Sequence, residues 1–308
     1  MLSRIAESLF WIGRYLERAD DTARILDVQL QVLVEDPAID EATSCAQLLG
    51  VMGVDDYTGV VNRWTILDLL AHNPDSNNSI AAAIDAAREG ARGARETLST
   101  DLWTAINMMW RGLPAARSRR PPDLFAWVRN QTAMVHGIAE GTMTRDEGWN
   151  YFVLGRSIER VDMTARLLST ASLAGSAQLA WPTTLRACGA YEAFIRAYRG
   201  IEGDRQAAEF LLLDRWFPRS IVSSLAEAEK ALSRLEARGQ RSGFADEAQR
   251  LLGRARTELE YRPLAEIVEA LPTEMERLQR TCAAASEAVS ARYFSSAELH
   301  AWRGGTFL

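Results

Sequence analysis

The chain has 308 residues, 47% of them apolar and 25% charged, which excludes a disordered polymer and allows one large domain or two small ones. A net charge of −6 argues against a general nucleic-acid binder, which needs a basic surface. Lys230 is the only lysine, so nearly every cation is a guanidinium, which stays charged and can grip carboxylates through two parallel hydrogen bonds.

Apolar residues at Ile5, Leu9, Ile12, Leu16, Ala19, Ala23, Leu26 and Leu30 keep the i, i+3, i+4, i+7 spacing of an amphipathic helix. This predicts a first helix over 4–35, stopped by Pro37. Asp40 and Asp55 are N-cap candidates for short helices reaching 51 and 72. The turn formers of 72–79 (HNPDSNNS) predict a loop, and a long helix follows over 80–110, in which Gly90 and Gly93 mark close packing. The basic run RSRRPP at 117–122 reads as a connector to a helix over 127–140. Thr144 with Glu147 forms a capping box that starts the next long helix. After a loop at 175–182 come helices over 185–198, 205–213, 220–236, 246–261, 263–270 and 273–293. The tail 294–308 (FSSAELHAWRGGTFL) lacks a helical pattern and either packs back or docks another chain. No stretch alternates with period 2, so the fold is all-α.

One segment occurs twice. FWIGRYLERADDTARIL at 10–26 returns as FVLGRSIERVDMTARLL at 152–168, matching at ten of seventeen positions. Fainter likeness continues from Leu69, Pro74 and Ser79-Ile80 to Phe210, Pro218 and Ser220-Ile221. So long a period points to duplicated halves, about 1–142 and 143–308, in a single bundle with a pseudo-twofold axis. The shared positions are mostly polar: Arg14, Glu17, Arg18, Asp20 and Arg24 correspond to Arg156, Glu159, Arg160, Asp162 and Arg166. Trp11 and Tyr15 flank them in the first copy. Tyr15 and Asp21 become Ser157 and Met163 in the second.

Two readings of these charges stay open. A solvated face with ion pairs along one helix contributes about 0.2–0.5 kcal/mol per pair, too little to hold the same Glu-Arg pair in both copies. A buried network or a binding site would hold it, because stranding one member of a buried pair costs about 3–5 kcal/mol. Glu17 is therefore expected to pair with an arginine of the second copy, and Glu159 with one of the first. Six repeated arginines against Glu17, Asp20, Glu159 and Asp162 also leave room for an anion between the halves.

Other chemistry finds little support. The histidines are His72, His136 and His300, and none follows an acid at the spacing of a di-iron bundle, so no metal site is expected. Asp20-Asp21 and Asp55-Asp56 lack the further acid of a magnesium cluster. There is no phosphate-binding glycine loop and no GxSxG elbow. Cys45, Cys188 and Cys282 show no metal or redox spacing and read as buried thiols in a reducing compartment. Arg4, Glu7 and Arg14 interrupt any signal-peptide core, and the longest uncharged run, 167–185, contains Pro182. A cytoplasmic protein without membrane or nucleic-acid partners is expected.

The opening LSRIAESLFWIGRYLERADDTARILD resembles the start of the bacterial alpha-E proteins, named for an E-R motif found here as Glu17-Arg18 and Glu159-Arg160. The resemblance extends to the ARYF at 291–294. It implies a partner, a circularly permuted ATP-grasp protein, often with a transglutaminase-like protein and sometimes a proteasome-like peptidase. By that association the chain is expected to be an accessory or co-catalytic subunit in ATP-dependent peptide or amide formation. It would carry no cofactor itself, ATP and Mg belonging to the partner. The alternative is an enzyme or binding protein with an Arg/Glu-lined pocket for an anionic peptide-like or phosphorylated substrate. No catalytic residue is assigned.

Overall fold

A computed structural model describes residues 1–54, 57–173, 180–199, 203–236 and 246–294. All regular structure among them is helical. The first half runs α1 (Ser3–Glu35), α2 (Glu41–Val51), α3 (Arg63–Leu67) with a π-helical turn (Asp68–His72), α4 (Ile80–Gly93), α5 (Thr100–Arg117) and α6 (Pro121–Thr142). The second runs α7 (Glu147–Leu173), α8 (Ala180–Ala187), α9 (Tyr191–Tyr198), α10 (Asp204–Leu213), α11 (Ile221–Leu235), α12 (Glu247–Tyr261), α13 (Leu264–Glu269) and α14 (Leu271–Val289).

Several expected boundaries move, each for a local reason. The single helix over 80–110 is two helices, because the chain turns after Gly93 and Ser99 caps α5 by accepting the Leu102 N–H at 3.1 Å. Pro121 starts α6 six residues earlier than expected, since its missing N–H costs nothing in a first turn. The cap of α7 is Asp146, which accepts from the Gly148 and Trp149 N–H groups at 2.9 and 3.3 Å, and the helix begins at Glu147 rather than at the Thr144 box. The helix over 185–198 is broken into α8 and α9 at Gly189, whose φ of +62° suits a residue without a Cβ. Asn62, not Asp55, caps α3, and Asp55 lies outside the described residues, as does the tail beyond Phe294.

Two rings of four helices share the α1–α7 contact. In one, α1 packs on α4 and α6, and α5 bridges those two; in the other, α7 packs on α11 and α14, and α12 bridges them. The helices α4 and α11 start with the same device. Ser79 Oγ donates to the Asn73 carbonyl six residues back and caps the Ala82 N–H, while Ser220 Oγ donates to the Asp214 carbonyl and caps Ser223. Gly90 and Gly93 lie against Ile12 and Ser8 of α1, the close packing expected of them.

The α1–α7 crossing is backbone against backbone. A Cβ on Gly13 would collide with the Phe152 carbonyl oxygen, and one on Gly155 with that of Phe10. Paired numbers rise together along both helices (Phe10 with Gly155, Glu17 with Arg160), so they run in the same direction. Close approach buries Glu17, Asp20 and Asp21 of α1 along with Leu9, Ile12 and Leu16, leaving Arg4 exposed and Glu7, Trp11, Tyr15 and Arg18 half-buried on the remaining face.

Candidate functional site

Beyond the glycine contact the polar faces of α1 and α7 meet. Glu17 is 0% exposed and Glu159 is 1% exposed, so each must find its charge partners inside the protein. Arg160 grips Glu17 with both fork nitrogens, Nε at 2.6 Å and Nη2 at 3.0 Å. Arg18 grips Glu159 the same way, at 2.5 and 3.2 Å. The E-R pairs thus cross between the helices instead of closing along one of them.

A second guanidinium completes each carboxylate, from a different source. At Glu159 it is Arg14, one turn before Arg18 on α1, with Nε at 2.7 Å and Nη1 donating to Ser286 Oγ of α14 at 2.8 Å. At Glu17 it is Arg219, from the loop before α11, with Nη1 at 2.9 Å. Arg219 also pairs with Asp20 and Asp21. Its loop is held by α7: Arg160 donates to the Pro218 carbonyl at 3.2 Å and Thr164 to the Arg219 carbonyl at 3.3 Å. Asp20 further accepts from Arg24 at 2.9 Å and from Thr132 of α6 at 3.0 Å.

The electrostatics follow from this packing. Burial pushes the Glu159 carboxyl up, but Arg18 and Arg14 outweigh it and hold the group at about 2. Burial acts likewise on Glu17, where Arg160 and Arg219 leave it well below the carboxylate range. Asp21 goes the other way: burial, reinforced by Glu17 and Asp20, overcomes the pull of Arg219 and raises it to about 7. Arg219 loses charge stability to burial and regains more from Asp21, Glu17 and Asp20, so it ends raised. Burial lowers half-buried His136 of α6 to about 4, so it is a neutral imidazole near neutral pH, and its Nε2 meets no partner.

The remaining repeated residues scatter. Arg166 pairs with Asp162 at 2.8 Å along α7 and donates to the Val51 carbonyl of α2 at 2.7 Å. Burial still raises Asp162. Trp11 and Tyr15 stack at 5.5 Å between ring centres, with Arg14 over Trp11 and Arg18 over Tyr15. Arg156 joins no pair among the described residues, and its Nε is buried without an acceptor. Reasoning from the repeat alone misses Arg219, Thr132 and Ser286, which come from other elements. One signal did point to Arg219: an acid in one copy only, Asp21 against Met163, calls for a cation in one half only.

Chemically the crossing is closed. Its carboxylates are spent on arginines, and no group of three or more potential metal ligands occurs among the described residues. The three cysteines are free and buried, and burial raises the Cys188 thiol to about 12, far from a reactive thiolate. No helix among the described residues is long and apolar enough to cross a membrane.

Residues 1–294 match the Alpha-E family, described as a predicted alpha-helical domain with a conserved ER motif. The chain is similar to uncharacterised proteins of Mycobacterium bovis (strain ATCC BAA-935 / AF2122/97) and of Mycobacterium tuberculosis (strains CDC 1551 / Oshkosh and ATCC 25618 / H37Rv). Each is 27% identical over 252 residues, covering 72% of this chain and 28% of the relative. The chain thus spans less than a third of the length of the curated relatives it matches. No solved structure matches it.

Proposed function

The chain belongs to the Alpha-E family, and we propose that it is a helical accessory subunit of a circularly permuted ATP-grasp protein in ATP-dependent peptide or amide formation. One observation carries this: the family's E-R residues are consumed by pairing with each other inside the molecule. Glutamates held as ion-paired carboxylates have no proton to give and no exposed face to offer a substrate. They act as a clasp between α1 and α7, and the reaction belongs to another protein.

The architecture suits that role. The two four-helix rings are duplicated halves, about 1–142 and 143–308, set about a pseudo-twofold axis through the Gly13–Gly155 contact. Together they form one domain, since separating them would strand Glu17 and Glu159 in apolar surroundings. In the mycobacterial relatives the matched region is under a third of a much longer chain, as suits a unit that works beside others. ATP and Mg would be bound by the ATP-grasp protein, in the cytoplasm, with a transglutaminase-like protein as a further partner.

Co-expression with the ATP-grasp protein tests this directly. The two should co-purify, and ATP-dependent amide formation should drop when this chain is left out. Full activity of the ATP-grasp protein alone, or failure to associate, would end the proposal.

A further inference from the structure

Beyond the crossing, one repeated arginine forms no ion pair among the described residues, and it borders a cleft. Arg156 sits where Arg14 sits in the first copy, yet the place it would take at Glu17 is filled by Arg219. Its guanidinium instead lines a cleft of about 830 Å³ between the end of α6, the first turns of α7 and the outer face of α11. Burial, and next the neighbouring Arg160, pull Arg156 below the ordinary guanidinium range and outweigh the opposite pull of Glu17, Glu227 and Glu140.

The acids of the cleft form no ion pair with it. Glu140 is paired with Arg145 at 2.7 Å, and Arg145 lies over the face of Trp149. Glu227 is paired with Lys230 at 3.2 Å, and Glu147 with the N-terminal ammonium at 2.9 Å. Asp146 is spent on backbone N–H groups at the start of α7. Glu227 and Glu140 are near enough to be felt by Arg156 but form no pair with it.

We propose that this cleft is a binding site for a small monocarboxylate, gripped by the Arg156 guanidinium through two parallel N–H···O bonds. The charge of the wall sets the class. Four acids and four bases line it (Arg234 being the last of the bases), so its net charge is zero. A dianionic phosphate would be repelled by Glu140 and Glu227 more strongly than a single carboxylate, and Arg156 is the one unpaired guanidinium of the wall with a buried nitrogen, Arg234 lying exposed on the surface. The cleft is wide enough for a carboxylate carrying a substituent, which would lie along the Trp149 side. None of this depends on an ATP-grasp partner, and the test uses this chain alone.

The probe is N-acetylglycine, with inorganic phosphate at equal ionic strength for comparison. Its titration is followed by the arginine Nε–H signals in two-dimensional ¹H–¹⁵N NMR, that of Arg156 being the one lost in Arg156→Lys. The expected result is a saturable shift of that signal, binding at least about tenfold tighter than phosphate, and an affinity at least about tenfold weaker in Arg156→Gln. Arg14→Gln, at the equivalent position of the first copy, should leave the affinity unchanged if it stays folded. No saturable shift of the Arg156 signal, an affinity unchanged in Arg156→Gln, or tighter binding of phosphate would each overturn the assignment. Should Arg156→Gln not fold, the signals of the unaltered protein decide between these outcomes by themselves.

Discussion

The Glu17 end and the Glu159 end of the crossing carry the same residues in the same order and solve the same problem differently. Each must neutralise a carboxylate removed from water, and each takes one guanidinium fork from the opposite helix. At Glu159 the second guanidinium is local, Arg14 from α1, steadied by Ser286. At Glu17 it is imported as Arg219, and a second acid, Asp21, comes with it. The copies differ in small ways that go together. Asp21 stands opposite Met163, Arg219 opposite Asn78 in the fainter alignment of the halves, and Thr164 holds the Arg219 loop while the buried hydroxyl of Thr22 holds nothing. Once a buried ion pair exists at one end, its members can only be lost or gained together, because either alone costs several kcal/mol.

The largest expected effect comes from breaking the clasp. Glu17→Gln and Arg160→Met should each cost about 3–5 kcal/mol in denaturant unfolding, and the double variant well under their sum. Losses under about 1 kcal/mol, or simple additivity, would reduce the crossing to weak surface pairing. Arg219→Asn should come next, since it leaves Asp21 buried without a counter-charge. Asp21→Met with Arg219→Asn copies the Met163 and Asn78 of the other half and should recover stability relative to Arg219→Asn alone. A double variant less stable than the single would show that Asp21 does not depend on Arg219.

The two ends should also respond oppositely to pH. Asp21 titrates at about 7 in the folded protein, above its ordinary value, so the folded state holds an extra proton and stability falls as pH rises from about 4 to 7. One proton sets a slope of at most about 1.4 kcal/mol per pH unit, and Asp21→Asn should flatten it. Glu159, held at about 2, contributes stability above about 4.5 that is lost as pH falls toward 2. Melts of the unaltered protein and of Asp21→Asn across pH 2–8 would separate the contributions, and a fall toward pH 7 that persists in Asp21→Asn would exclude Asp21 as its source. Gly13→Ala and Gly155→Ala should each cost about 1–3 kcal/mol or more, because the added Cβ meets a rigid carbonyl. Equal stability of either with the parent would mean that the helices slide apart freely. The smallest effect is the sharpest contrast. Arg14→Gln should cost about 1–3 kcal/mol, since Glu159 keeps one arginine, while Arg156→Gln should change stability by less than about 0.5 kcal/mol. Equal losses would mean that Arg156 has a charge partner after all.

The helical class, the positions of α1 and α7 and the importance of Glu17 and Glu159 were legible in the residues. Apolar spacing sets helix positions locally, and a repeated polar residue announces a constraint that solvated charges do not impose. Where the helices end was legible only in part, because capping by Ser99, Asp146 and Asn62 competes among many similar polar side chains. The partner of each charge was decided by the tertiary structure. Arg219 is about two hundred positions from Asp20 and Asp21 and reaches them because α7 pins its loop, and no periodicity encodes that distance. The same packing decided that equal arginines have unequal fates. Arg14 finds Glu159 and Ser286, whereas Arg156, displaced by Arg219, is left facing a cleft.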